Sequence, residues 1–161
     1  MEPLKPPALH QAQAAYGWLE LGNVEEAFAE LERLPEELQL LPAVQAVRLD
    51  CLMAAKDWNA AVKLAQVLCG QWAEEPGLWL HHAYAARRCA GGSIEAAYEL
   101  LAPCVERFPE EWLIPYNVAC YLCQMERLDE ARAMLEMARA KGGERVDTMA
   151  KDDEDLAPLN L

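Results

Sequence analysis

The chain has 161 residues, enough for one domain with a sizeable core, and a formal net charge of −13. That charge argues against nucleic acid and anionic membranes as partners, because both are bound mainly through lysine and arginine. Alanine, leucine and glutamate dominate the composition while β-branched residues are few, so we expect helices and no sheet.

The chain begins with a proline-rich lead-in, residues 1–7, that we predict to be flexible. A helix is predicted over about residues 8–21 and a second over about 24–34. Gly22 and Asn23 supply the turn between them. The connector that follows, residues 36–41, has room for one loose helical turn.

Pro42 opens a second helix pair at a position that needs no backbone donor. Its predicted helices cover about residues 43–55 and 58–72. The third pair opens near Pro76 and turns at residues 91–93. Pro103 falls inside its second helix and should bend that helix, because proline removes a backbone hydrogen bond.

The fourth pair covers about residues 111–141 and ends at two glycines. Beyond it, residues 142–161 are predicted to form a short cap helix, about 145–151, and an acidic tail. The tail contains the DDED run, residues 152–155, which we interpret as solvated coil. One alternative is that Arg87 and Arg88 receive this tail, within a chain or between chains.

Four alanines recur at one position of the successive pairs. Their spacings are 34, 36 and 34 residues, and they are Ala27, Ala61, Ala97 and Ala131. A small side chain at this position lets two helices approach closely. The two extra residues in the third interval fit best at Gly91 and Gly92, since adjacent glycines tolerate a longer turn.

A helix-turn-helix period of 34 residues with alanine at this position resembles the tetratricopeptide repeat. Residues 22–27 and 116–119 match its second-helix and first-helix signatures. The resemblance implies a right-handed α-solenoid of about four antiparallel helix pairs, with a short C-terminal capping segment. The pairs would cover residues 8–41, 42–75, 76–110 and 111–141. The stretch MAKDDEDLAPL is similar to the tails of small bacterial tetratricopeptide proteins of unassigned role.

The sequence offers little for catalysis or cofactor binding. The only serine, Ser93, precedes a predicted helix and is better explained as an N-cap than as a nucleophile. Cys120 and Cys123 form a CxxC motif inside a predicted helix, where redox or zinc sites are unusual. We therefore predict a chain without catalytic, cofactor or metal sites, although a metal- or thiol-dependent helical enzyme is a lesser alternative.

In the repeat family the first helices of each pair form a concave groove for a peptide or helix. The resemblance therefore implies a noncatalytic scaffold or adaptor, with a small secretion-type chaperone as the alternative. Without an apolar leader or long apolar run, we expect a cytoplasmic protein, and a homodimer is possible. Carrying the inward positions over gives the candidate groove residues Tyr16, Leu19, Asp50, Met53, His82, Tyr116, Asn117 and Cys120.

Overall fold

A computed structural model describes residues 3–160, in which helices are the regular secondary structure and no strand occurs. The predicted all-α fold class is therefore confirmed. Residues 1, 2 and 161 lie outside the description, and with them parts of the predicted lead-in and acidic tail. Among the described residues, no helix is both long enough and apolar enough to span a bilayer. The chain divides into an N-terminal unit, Met1–Ala85, and a C-terminal unit, Ala86–Leu161.

The N-terminal unit consists of helical hairpins joined by short turns. Its helices are α1 (Ala8–Glu20), α2 (Val24–Glu32), α3 (Glu36–Gln39), α4 (Pro42–Ala54), α5 (Trp58–Gln71) and most of α6 (Pro76–Arg88). Helix α1 packs on α2 and α4 packs on α5, while α4 also contacts both helices of the first pair. Each hairpin therefore buries its apolar side partly against itself and partly against the next one.

The C-terminal unit is built around one buried helix. Its elements are α7 (Ile94–Leu101), α8 (Cys104–Arg107), α9 (Leu113–Gln124), α10 (Leu128–Gly142), α11 (Glu144–Lys151) and a 3-10 helix (Glu154–Leu159). Nine of the twelve residues of α9 are buried, because α7, α8, α10 and the 3-10 helix all contact it. A helix that is apolar on every side needs cover on every side, and the 3-10 helix supplies part of that cover.

The four recurring alanines occupy equivalent environments in the two units. Ala27, Ala61, Ala97 and Ala131 all have 0% exposure. Each lies in the second helix of its hairpin. Their burial agrees with the small side chain that the sequence period places at this position.

Three of the second helices begin with a side-chain cap. The side-chain oxygens of Asn23, Asp57 and Ser93 accept the backbone N–H three residues later, at 3.3, 3.1 and 3.1 Å. These bonds satisfy donors that the first helical turn leaves unpaired. The structural role predicted for Ser93 is thereby confirmed.

All four hairpin turns contain a residue in the left-handed region. Gly22 and Gly91 have φ of +75° and +77°, and the equivalent Lys56 and Glu126 have φ of +56° and +61°. Glycine adopts this conformation without a steric penalty, whereas in lysine and glutamate the Cβ atom comes too close to the backbone. The second and fourth turns therefore carry backbone strain that the first and third avoid.

Pro103 interrupts its helix instead of only bending it. Helix α7 ends at Leu101, and Pro103 is the residue immediately before α8. Proline has no N–H for an intrahelical bond, and its ring clashes with the preceding turn. The second half of the third pair is therefore two short helices.

The expectation that the DDED run is solvated coil is wrong. Residues 154–159 form the 3-10 helix, and Leu156 and Leu159 are 1% and 5% exposed. The two leucines are three residues apart, which places them on one side of a helix with three residues per turn. The acidic run is thus tied to the fold by the apolar residues that follow it.

Candidate binding surfaces

Two of the predicted groove residues, Tyr16 and Asp50, meet in the N-terminal unit. Tyr16 Oη on α1 donates a hydrogen bond of 2.7 Å to Asp50 Oδ2 on α4, and the two residues are 34 positions apart. His81 Nδ1 on α6 lies 3.5 Å from Asp50 Oδ1. We call Tyr16, Asp50 and His81 the inner cluster. It joins three first helices through polar side chains, of which Tyr16 and Asp50 hold matching repeat positions.

Burial shapes the electrostatics of the inner cluster. It raises the pKa of the Asp50 carboxyl, while the hydrogen bond from Tyr16 and the charge of His81 oppose this rise. Burial and the contact with Asp50 raise the pKa of the Tyr16 phenol well above its ordinary value. Tyr16 therefore keeps its proton at neutral pH. The pair can offer hydrogen bonds to a ligand, but it is poorly matched to proton transfer.

A recess of about 170 Å³ adjoins the inner cluster. It is lined by Ala46, Asp50, Glu75, Gly77, Leu78 and His81. Ligand pockets for whole small molecules are larger, at roughly 300 Å³ or more. Tyr16, beside this recess, is 45% exposed. The surface is thus suited to single side chains of a larger partner.

The other predicted groove residues of the N-terminal unit lie deeper. Leu19 and Met53 are partly buried and pack against the apolar core. His82 is 8% exposed, and its Nδ1 has no hydrogen-bond partner within residues 3–160. Burial lowers the pKa of His82, so its imidazole is neutral. The histidine beside Asp50 is His81, one position from the predicted one.

In the C-terminal unit, residues 152–160 pack on α9, against two of the predicted groove residues. We call residues 152–160 the C-terminal segment. Tyr116 Oη donates a hydrogen bond of 2.7 Å to Asp153 Oδ2, and Cys120 Sγ lies 3.6 Å from the same oxygen. Tyr116 and Cys120, two of the predicted groove residues, are only 3% and 4% exposed. A polypeptide therefore already occupies this predicted binding position.

Arg87 holds the second carboxylate of the segment. Its guanidinium forms two hydrogen bonds with Asp155, of which Nη2 to Oδ1 measures 3.0 Å. Gln124 Nε2 donates to the backbone carbonyl oxygen of Asp155 at 3.1 Å. The hydrogen bonds from Arg87 lower the pKa of the Asp155 carboxyl. The contact proposed from sequence between the arginine pair and the acidic tail is therefore present at Arg87, within one chain.

Arg87, Tyr116, Cys120 and Gln124 together form what we call the tail site. Paired hydrogen bonds between a guanidinium and a carboxylate are directional and strong. Arg87 also lies over the ring of Tyr121, with its Cζ 5.9 Å from the ring centre. The guanidinium is thus held between an aromatic face and its carboxylate partner. The tail site thus holds two acidic residues of the C-terminal segment through directional contacts.

Asn117 contributes to α9 itself. Its Nδ2 donates a hydrogen bond of 2.8 Å to the carbonyl oxygen of Leu113, one turn earlier in the helix. This amide group is therefore engaged locally, although the resemblance to the repeat family implies a groove position for Asn117. Its role in a groove stays a prediction.

The CxxC thiols are packed side chains in this structure. Cys120 and Cys123 are both buried, and burial raises the pKa of each thiol. A thiol with a raised pKa carries little of the nucleophilic thiolate at neutral pH. Within residues 3–160, no three histidine, cysteine, aspartate or glutamate residues converge as a metal site would require.

Sequence reasoning missed two parts of the tail site, the Tyr116–Asp153 bond and the contribution of Gln124. Both join positions more than 30 residues apart. The available signal is the pattern of the C-terminal segment, in which four consecutive acidic residues precede leucines spaced by three. That pattern indicates a short helix with an apolar side and hence a docking surface elsewhere.

No protein-family model matches the chain, and the comparison with curated proteins gives no match. Among solved structures, one titled MamA MSR-1 C2 is similar, with a TM-score of 0.64 at 13% sequence identity. The likeness covers 97% of this chain and 94% of that one. MamA contains tetratricopeptide repeats. At this identity the likeness concerns the fold alone, and the chain has a tetratricopeptide-like helical fold.

Proposed function

We propose that this protein is a noncatalytic interaction module that binds an extended peptide or helix of a partner protein on its first helices. The observation that carries the proposal is the C-terminal segment on α9. Asp153 contacts Tyr116 and Cys120, which the repeat register assigned to ligand binding. A face that accommodates one stretch of polypeptide has the shape and polar groups to accommodate another.

The inner cluster supports the same proposal in the N-terminal unit. Tyr16 combines an exposed aromatic ring with a fixed hydroxyl group, and Asp50 supplies an acceptor beside a recess. Tyrosine is enriched in protein interfaces because it contributes area and a hydrogen bond with little loss of side-chain freedom. In this proposal the module works in the cytoplasm, where thiols such as its six free cysteines stay reduced.

Affinity capture with matched variants tests this function. The intact chain, Tyr16→Ala, Asp50→Asn and the control Val67→Ala would each be immobilised and the bound proteins identified after crosslinking. Val67 is 54% exposed on a second helix, so its substitution removes exposed apolar surface away from the inner cluster.

The expected result is a bound protein that Tyr16→Ala loses and Val67→Ala retains. Circular dichroism would verify that every variant keeps its helical content. Retention of the client by Tyr16→Ala and Asp50→Asn, with loss in Val67→Ala, would place binding on the second helices and contradict the proposal.

A further inference from the structure

The contacts of the C-terminal segment define a recognisable ligand. The carboxylate of Asp153 accepts a hydrogen bond from the Tyr116 hydroxyl, and that of Asp155 accepts from the Arg87 guanidinium. Two leucines that follow them in the sequence are buried. The intervening Glu154 is exposed. The tail site therefore selects a pattern of acidic, any, acidic and apolar residues.

Charge favours such a ligand at this place in an otherwise acidic chain. In residues 77–109, three arginines balance three glutamates, whereas the whole chain carries a net charge of −13. An acidic segment approaching Arg87 meets less repulsion here than in the chain on average. The Arg87 side chain is 20% exposed, so solvent screens its attraction to a carboxylate only in part.

The C-terminal segment is held by α9, α10 and the Arg87 side chain, and its own helix is short. Its helix is a 3-10 helix of six residues, a kind that is rarely stable alone. Asp152, the residue that joins it to α11, is exposed. Helix α11 has its own anchors on α10, with Val146 and Ala150 buried. Local opening of the segment thus exposes Tyr116, Cys120 and Arg87 at a cost below that of global unfolding.

We propose that the tail site recognises acidic segments of a protein partner, and that the C-terminal segment is its built-in occupant, which the partner must displace. This rests on the proposed function and specifies its partner at one of the two surfaces. The partner presents the same pattern of two carboxylates two residues apart followed by an apolar residue. A tethered occupant acts at an effective concentration of about millimolar, so it weakens every competing segment.

Peptide titration against full-length chains tests the proposal. The probe is a fluorescent synthetic peptide with the sequence of residues 150–160, and its binding is followed by fluorescence anisotropy. The chains are the wild type, the double variant Asp153→Asn/Asp155→Asn, and the same double variant carrying Arg87→Gln. A control peptide has asparagine at both carboxylate positions.

The double variant should bind the probe at least about tenfold more tightly than the wild type, because its own segment no longer competes. Adding Arg87→Gln should weaken that binding at least about tenfold, and the control peptide should bind no chain measurably. Equal binding of the probe by wild type and double variant, or of probe and control peptide by the double variant, overturns the proposal.

Two further measurements keep the test decisive. If the double variant loses its helical content, the single variant Asp155→Asn takes its place. In addition, the titration with the wild-type chain extends to about 10 mM, above the expected effective concentration of the tethered segment. Binding that does not saturate in that range overturns the proposal. The molecular mass in solution is the second measurement. If the wild type forms a dimer as its concentration rises while the double variant stays monomeric, the tail of a second copy is the occupant, and this result also overturns the proposal.

The capture experiment on Tyr16 is independent of this titration. A client lost by Tyr16→Ala, together with a probe that fails to bind, removes the acidic-segment proposal and leaves the interaction module standing. A probe that binds as expected, with no client captured, leaves the tail site standing and removes the inner cluster as a binding surface.

Discussion

The two units differ in how far their predicted groove tyrosines are exposed to solvent. Tyr16 in the N-terminal unit is 45% exposed, whereas Tyr116 in the C-terminal unit is 3% exposed. Both donate a 2.7 Å hydrogen bond to an aspartate, but Asp50 belongs to the next repeat and Asp153 to the C-terminal segment. The same repeat geometry thus yields a surface held within the repeats and a surface occupied by a tethered segment.

The carboxylates of the two surfaces also differ. The pKa of Asp50 is raised, since burial outweighs its partners, while the pKa of Asp155 is lowered by Arg87. Charge on Asp50 therefore opposes folding, and charge on Asp155 favours docking of the segment. At the tail site an arginine compensates the carboxylate charge, whereas at the inner cluster the penalty of burial is the larger effect.

The largest expected effect tests what the two units share. Leu31 and Leu135 hold the same repeat position and are 0% and 1% exposed. Changing either to alanine should lower the free energy of unfolding by about 2–5 kcal/mol, because each leaves a cavity in its core. Chemical denaturation measures both losses, with the 70% exposed Leu40→Ala as control. A loss for one leucine only would mean that the two units are not packed alike.

Arg87→Gln should weaken docking of the C-terminal segment on the tail site and leave the inner cluster unchanged. The substitution removes the charged hydrogen bonds to Asp155 and should cost about 1–2 kcal/mol of stability. It should also release the C-terminal segment, so that the Cys120 thiol reacts faster with an alkylating reagent in peptide-resolved mass spectrometry. The control Arg132→Gln removes an exposed ion pair with Asp129 and should change stability by less than about 0.5 kcal/mol.

An unchanged rate of Cys120 alkylation in Arg87→Gln would contradict the docking role of the ion pair. Because the segment detaches as a whole, the loss of stability cannot exceed the free energy of docking. The comparison with Arg132→Gln separates this effect from a general change in net charge.

Acidification should affect the two surfaces with opposite sign. Docking lowers the pKa of the Asp155 carboxyl. Its contribution to stability is therefore fully present above the ordinary aspartate pKa of about 3.9, and it is lost as the pH falls through the pKa of the docked state. The melting-temperature difference between wild type and Arg87→Gln should therefore vanish in acid. A difference that persists unchanged at pH 2 would show that Arg87 acts through packing alone.

For Asp50 the folded pKa is raised, so the wild type loses stability as pH rises from the unfolded to the folded value. Asp50→Asn removes this loss. The stability of the variant relative to the wild type should accordingly increase as the pH rises. The difference at pH 7 should be less than about 1 kcal/mol, and the amide oxygen can still accept the hydrogen bond from Tyr16. Thermal melts from pH 3 to pH 8 measure the trend.

The smallest effect concerns the turns, which both units share. Lys56→Gly and Glu126→Gly place glycine where φ is +56° and +61°. Each should raise the free energy of unfolding by about 0.5–1 kcal/mol, because relief of steric strain exceeds the added entropy of the unfolded chain. The reverse change at Gly22, to alanine, should be destabilising. A loss of stability in both glycine variants would show that these side chains have contacts that matter more than strain.

Local signals in the sequence predicted most of the fold. The alanine period, the cap at Ser93 and the proline at 103 each act within one hairpin, and the structure has them in the expected places. The docked tail was proposed only as an alternative, because its contacts join residues as far apart as Arg87 and Asp155. No local periodicity reports a contact of that separation.

The histidine of the inner cluster illustrates a different obstacle. His81 and His82 are neighbours, and the two-residue excess of the third repeat makes its register ambiguous. Helical geometry turns adjacent residues about 100° apart, so an error of one position moves a side chain from the surface into the core. The structure places His81 beside Asp50 and buries His82.

The position of α11 determines how this array can be lengthened. It covers α10 through Val146 and Ala150, and in a stacked repeat protein the last second helix is where another hairpin would be added. Designers who wish to append a fifth hairpin would have to remove α11 first, and the C-terminal segment would then lose its attachment. Extension and self-occupation are therefore mutually exclusive outcomes for this scaffold.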